Sequence, residues 1–156
     1  MEELEKIKHL LEQILGSTRK VSYKIGQTVK LSQYPPAEKV IAVIRDFLGY
    51  EFIMTDYRVK HSLKLPKSSK KRKRKSRDLP YLQKAWKEIR KAFKAPDAIA
   101  IYGNNEGIVY VRKVEGKYVL FAVNPKTRAI DTAFVKSSLR DTERYRFIYK
   151  KGGNND

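Results

Sequence analysis

Two histidines stand in this chain of 156 residues, and one of them, His61, opens a run that supplies more than half of the net charge. From Lys60 to Arg77, ten of eighteen residues are Lys or Arg and none is acidic, which is +10 of a formal +18. Histidine is the side chain whose ordinary titration falls near neutrality, so it can pass a proton at working pH. Cations this dense beside it suit a polyphosphate, and nucleic acid is the polyphosphate first expected. The expected phosphate contacts are Lys60, Lys64, Lys67, Lys70, Lys71, Arg72, Lys73, Arg74, Lys75 and Arg77, with Arg140 further along. Charge identifies the class of partner and leaves the reaction open.

Transesterification of RNA is one reaction such residues could run. It needs a base for the ribose 2′-OH, cations around the pentavalent phosphorus and a proton for the departing 5′-oxygen. His61 could make either proton transfer. Arg112 offers a planar fork to two phosphate oxygens, with Lys113 or Arg140 in support, and Tyr110 could hydrogen-bond to or stack on a base. Thr132, Ser137 and Ser138 could hold the phosphate in register. A lone histidine is more commonly a packing or surface residue, and His9, in an acidic segment, reads as surface.

A metal-dependent alternative rests on Pro96-Asp97 followed by Glu115-Gly116-Lys117, the literal pattern of magnesium nucleases whose carboxylates hold the ion. Glu115-Gly116 reads instead as the tip of a hairpin, where a charged residue before glycine is ordinary turn chemistry. With no cysteine and two histidines a zinc cage is not expected, and neither a metal nor a cofactor is assigned. The remaining alternative is a basic module that binds RNA or DNA without cutting it, supported by 35 Lys and Arg, ten Tyr and one Trp. The charge would also attract an acidic inhibitor protein. An anionic membrane would attract the basic run too, but that run lacks apolar residues to insert, so no membrane partner is expected.

These residues must be positioned by a fold, and 41% apolar residues suffice for the core of a single domain. No apolar run is long enough to cross a bilayer, and the opening Met1-Glu2-Glu3-Leu4-Glu5 is acidic and helix-patterned, so a cytoplasmic protein is expected. Leu4, Ile7, Leu11 and Ile14 predict a helix stopped by Gly16. Val21 to Leu31 predicts a small hairpin around Gly26-Gln27. Pro35-Pro36 predicts the start of a second helix, with Val40, Ile41, Ile44, Phe47 and Leu48 on one stripe and Gly49 as its end. Thr55-Asp56 caps a short helix carrying Tyr57, Val59 and His61.

The basic run over 64–77 predicts an extended, mobile loop, because its charges repel. Asp78 then caps a helix over Leu79 to Phe93, with Leu82, Trp86, Ile89 and Phe93 at helical spacing. After Ala95-Pro96 the period changes to two. Strands are predicted over 98–102, 107–114, 117–124 and 129–135, then a helical turn over 137–143, an edge strand from Tyr145 to Tyr149 and a Gly152-Gly153-Asn154-Asn155 tail. The sum is an α+β domain, with N-terminal helices over about 1–50 packed on one face of a C-terminal antiparallel meander of four to five strands. Val109 and Val111 are expected to face the helices, turning Tyr110 and Arg112 to an open face.

The order of these pieces is similar to that of a known family. A His61-bearing segment, a loop, the helix from Leu79, Ala95-Pro96-Asp97-Ala98-Ile99, strands with Tyr110, and Ile130-Asp131-Thr132-Ala133 resemble the phage-associated members of the barnase, EndoU, colicin and RelE-like nuclease superfamily. The resemblance spans roughly 41–149. It implies a toxin-like endoribonuclease that cuts RNA without metal on the exposed sheet face, with His61, Tyr110, Arg112 and Thr132 in the site. The chain departs from a His-x-x-x-His-like pattern, since no second histidine follows His61, which counts against a two-histidine mechanism.

Overall fold

The computed structural model describes residues 2–35 and 37–152. Pro36 and the 153–155 part of the expected tail lie outside the described residues. Helix α1 (Glu2–Leu15) forms where its sequence predicts and buries Ile7, Leu11 and Leu15. Glu2, Glu3 and Glu5 in its first turn oppose the positive end of the helix dipole. Gly16, at φ +85°, ends it in the left-handed region that glycine enters without cost.

The second predicted helix is a strand. Strand β1 (Thr28–Val29) pairs with β2 (Glu38–Arg45), and β2 pairs with β3 (Glu51–Thr55), all antiparallel. The stripe Val40, Ile41, Ile44 also fits a strand, and the β-branched residues Val40, Ile41, Val43 and Ile44 favour it. Gly49 is part of the β2–β3 turn rather than a helix stop: Asp46 Oδ1 accepts from Leu48 N and Tyr50 N, both at 2.9 Å. The hairpin expected over 21–31 is reduced to β1, because the Gly26 N–H donates to Val40 O and the Gln27 carbonyl accepts from Val40 N on β2.

Helix α2 (Asp56–Leu63) follows directly, capped by Thr55, whose Oγ1 accepts from Arg58 N. The basic run is not a loop. It forms the first half of α3 (Ser69–Lys87), so Asp78 lies inside the helix rather than at its cap. Lys and Arg are good helix formers, and repulsion between like charges one turn apart costs only a few tenths of a kcal/mol per pair. Propensity outweighs repulsion there. The helix expected to run to Phe93 breaks at Glu88 and resumes as α4 (Ile89–Lys94).

Strands β4 (Ala98–Tyr102), β5 (Gly107–Val114), β6 (Lys117–Val123) and β7 (Ile130–Lys136) form the expected meander, with Glu115 and Gly116 at a hairpin tip, both at positive φ. The segment 137–143 is bent rather than helical, because Asp141 Oδ1 and Thr142 Oγ1 accept from Phe147 N and Tyr145 N and turn the chain. It returns β8 (Tyr145–Lys150) to the free edge of β4, giving the order β7-β6-β5-β4-β8. The domain is therefore α+β, with a five-stranded antiparallel sheet at its C-terminal end.

The two faces of that sheet follow from its register. Ile99, Tyr110, Phe121 and Ala133 lie side by side and belong to the main core with Ile7, Leu11, Leu82, Trp86 and Phe93. Ala98, Ala100, Val109, Val111 and Leu120 form the other face, sealed by Leu139. The expected orientation of β5 is thus reversed: Tyr110 and Arg112 face the helices, and Val109 and Val111 face away. The away face is also not open. Phe134 on β7 and Tyr145 on β8 have ring centroids 5.9 Å apart, although four strand spacings would separate these edge strands by about 19 Å in a flat sheet. The sheet curls over its small residues Ala98, Ala100 and Ala122 until its two edges meet in an aromatic contact.

Candidate nucleic-acid interface

Helix α2 is held by a partly buried ionic cluster. Glu38, 2% exposed, takes both arms of the Arg58 guanidinium at 2.9 Å and the Thr55 hydroxyl at 2.7 Å. Arg58 Nη1 also reaches Asp131 Oδ1 on β7 at 3.1 Å. The hydrogen bonds that Arg58 donates to Glu38 raise the Arg58 pKa further, while burial raises that of Asp131 against the pull of Arg58. On its inner side Ser62 Oγ accepts from Trp86 Nε1 at 2.8 Å, which fastens α2 to α3. With both sides pinned, the outer side of α2 is fixed relative to the core.

That outer side carries Tyr57 and His61, both exposed, with rings stacked at 5.6 Å and only 16° from parallel. They line an open groove with Lys60, Leu63 and Lys64. The spacing of four makes Tyr57 and His61 neighbours on a helix, so the pairing is readable from the sequence once α2 is assigned. Beyond Lys64 the chain enters Lys67 and then the first half of α3. Lys70, Lys71, Arg72, Lys73, Arg74 and Arg77 are exposed there, and Lys75 is partly covered, its pKa lowered by that desolvation.

The four expected catalytic residues do not converge. Tyr110 is fully buried, its hydroxyl donates to Asp46 Oδ2 at 2.6 Å, and its ring stacks on Phe93 at 4.3 Å. No base can reach it. Burial, reinforced by the Asp46 charge, pushes its pKa well above the ordinary tyrosine value. Arg112 is half-buried toward the end of β5, with Nη2 3.8 Å from Glu88 Oε1 and Nε buried with no partner among the described residues. Thr132 pairs with Ala122 and so points to the curled face, away from its helix-facing neighbour Ala133. His61 alone stands in an open groove beside cations.

Arg140 follows Leu139 on the curled side of the sheet and lines a separate depression with Ser137, Ser138, Tyr118 and Lys150. It therefore joins neither His61 nor α3. The carboxylates of the magnesium alternative are engaged elsewhere: Asp97 Oδ2 accepts from Lys113 N at 2.7 Å, and Glu115 Oε1 meets Lys84 Nζ at 3.2 Å. His9 is exposed, as its acidic helix implies. No protein-family model, curated protein or solved structure matches this chain.

Proposed function

We propose that this protein binds nucleic acid through the surface formed by the outer side of α2 and the basic half of α3. The observation that carries the reading is the placement of seven cations among the eight residues from Lys70 to Arg77 on two turns of exposed helix. Lys60 and Lys64 extend this surface into the Tyr57–His61 groove. Such a surface gains affinity by releasing counterions from phosphates, so binding should weaken steeply with salt. Replacing Lys70, Lys73 and Arg77 with Gln keeps a helix former at each position, and the log–log salt slope should flatten by about 0.7–0.9 for each phosphate that is no longer neutralised. An unchanged slope would place the footprint elsewhere.

One observation favours a second reading, a metal-independent ribonuclease of the kind the sequence resembles. His61 combines an open position, an aromatic neighbour and two adjacent lysines. In this reading His61 moves the proton and lysines supply the charge, with Tyr110 and Thr132 left out. Cleavage of RNA in EDTA with a 2′,3′-cyclic phosphate product supports it. Intact RNA after long incubation leaves binding alone.

A further inference from the structure

We infer that the first half of α3 is a recognition helix for the major groove of double-stranded DNA. This rests on the nucleic-acid reading above and names the form of nucleic acid that the helix takes. The buried side of α3 is drawn by Leu82, Ala85 and Trp86. Carried back by helical steps, that same side reaches Lys71, Arg74 and Lys75, where a packed helix would need apolar residues. The basic half therefore overhangs the core, with Ser69 to Arg74, Ser76 and Arg77 exposed.

This overhang breaks the local rules of helix stability. The positive end of a helix favours acidic residues, yet the first turn of α3 has none, and Ser68 makes no side-chain cap bond. Lys70 and Arg74, Lys71 and Lys75, and Lys73 and Arg77 are like charges one turn apart. Each conflict is relieved by an anion close to the helix, and unrelieved local conflicts concentrate at functional positions.

Shape then selects the anion. Successive residues step 100° around a helix, so cations at 70–75 and 77 leave no neutral side. A single strand lying along α3 would use a stripe of cations with aromatic rings to stack on; no aromatic residue stands between Ser69 and Pro80, and the Tyr57 and His61 rings of the surface belong to α2 and stack on each other. A helix charged all round suits a groove with phosphates on both walls. The B-form major groove, about 12 Å wide, admits a helix of about 10–12 Å diameter, whereas the deep, narrow groove of an RNA duplex does not. Arg72, Arg74 and Arg77 then carry the planar forks that fit guanine edges, and the lysines meet phosphates.

Ser76, the one uncharged residue from Lys70 to Arg77, supplies the test. Ser76→Pro changes no charge, breaks the helix before it and leaves the packed half intact, since proline is tolerated in a first helical turn. Anisotropy titrations would compare the intact protein and the variant on a labelled DNA duplex, one of its strands and an RNA duplex of the same sequence. The intact protein should bind the DNA duplex at least about tenfold tighter than the other two, and the variant should lose that preference. Should Ser76→Pro lower the melting temperature of the whole protein, Ser76→Gly, which also changes no charge and weakens the helix without a ring clash, carries the same comparison. Equal duplex affinity in the helix-broken variant overturns the inference, as does a preference for the single strand or the RNA duplex, and either leaves the broader nucleic-acid reading standing. Failure to bind any of the three removes both.

Discussion

The Tyr110 hydroxyl and the Asp46 carboxylate meet at 2.6 Å across 64 positions of sequence, joining β5 to the β2–β3 turn inside the core. The other oxygen of Asp46 takes the Leu48 and Tyr50 N–H groups, so one buried side chain closes the turn and anchors it to the sheet. Tyr110→Phe removes the donor and leaves a buried carboxylate oxygen without it, which should cost about 1–3 kcal/mol. Nucleic-acid affinity should be unchanged. Urea unfolding and a binding titration on the same preparation check both; a variant of normal stability that binds weakly would return Tyr110 to the site.

Burial holds the Asp46 pKa above its ordinary value, against the opposing hydrogen bonds from Tyr110, Tyr50 and Leu48. The folded chain thus keeps a proton that the unfolded chain has already released. From the ordinary aspartate pKa up to the raised one, the native state binds more protons, so stability should fall as pH rises through that window and level off above it. Asp46→Asn should abolish this component. Melting curves across the acidic range, compared between the two proteins, measure it, and identical slopes would show that Asp46 titrates alike in both states.

The turn that Asp46 closes is the least legible part of the sequence. Val40, Ile41 and Ile44 satisfy a helical stripe and a strand alike, and the choice is made by a side chain, Asp46, whose partner lies 64 positions away. Local spacing does not contain that partner. The same holds for the facing of β5: Val109 and Tyr110 are both apolar enough for either side, and the partners that hold Tyr110 on the helix side, Phe93 and Asp46, are distant in sequence. By contrast α1, α2, the meander and the Glu115-Gly116 turn depend on residues within a few positions of one another, and they stand where the sequence puts them.

The basic run departs from a loop for a different reason. Charge density alone argues for an extended chain, whereas the absence of Gly and Pro from Ser69 to Leu79 argues for a helix, and the second effect is the larger. Of the site, His61 and its lysines are legible because they are close in sequence. A grouping with Arg112, Tyr110 and Thr132 depends on the facing of two strands, which only packing determines.

Arg58 is the residue on which the position of α2 most depends. Arg58→Met would leave Glu38 charged and buried beside the Thr55 hydroxyl alone, a loss of about 3–5 kcal/mol. Because the Tyr57–His61 groove rides on the same helix, affinity should fall with stability even though Arg58 itself lines no part of it. Replacing Glu38 and Arg58 together with apolar residues should recover much of the stability, since the buried charge goes with its partner. Chemical denaturation of the single and double variants gives the coupling, and additive losses would show that the pair acts as two independent residues.

Tyr57 and His61 stack on each other, yet they should separate in kinetics if the groove cuts RNA. His61→Ala removes the proton carrier and should lower the cleavage rate by about a hundredfold or more, with little change in KM beside so many cations. Tyr57→Ala removes a stacking surface for a base, so KM should rise about tenfold while the rate at saturation is largely kept, given roughly 1–3 kcal/mol per stacked base. Both side chains are exposed, so neither change should unfold the protein. Steady-state cleavage of a short RNA in EDTA reads both values. A folded His61→Ala protein that cuts at the normal rate would remove His61 from the chemistry, and the groove would then count only as part of the binding surface.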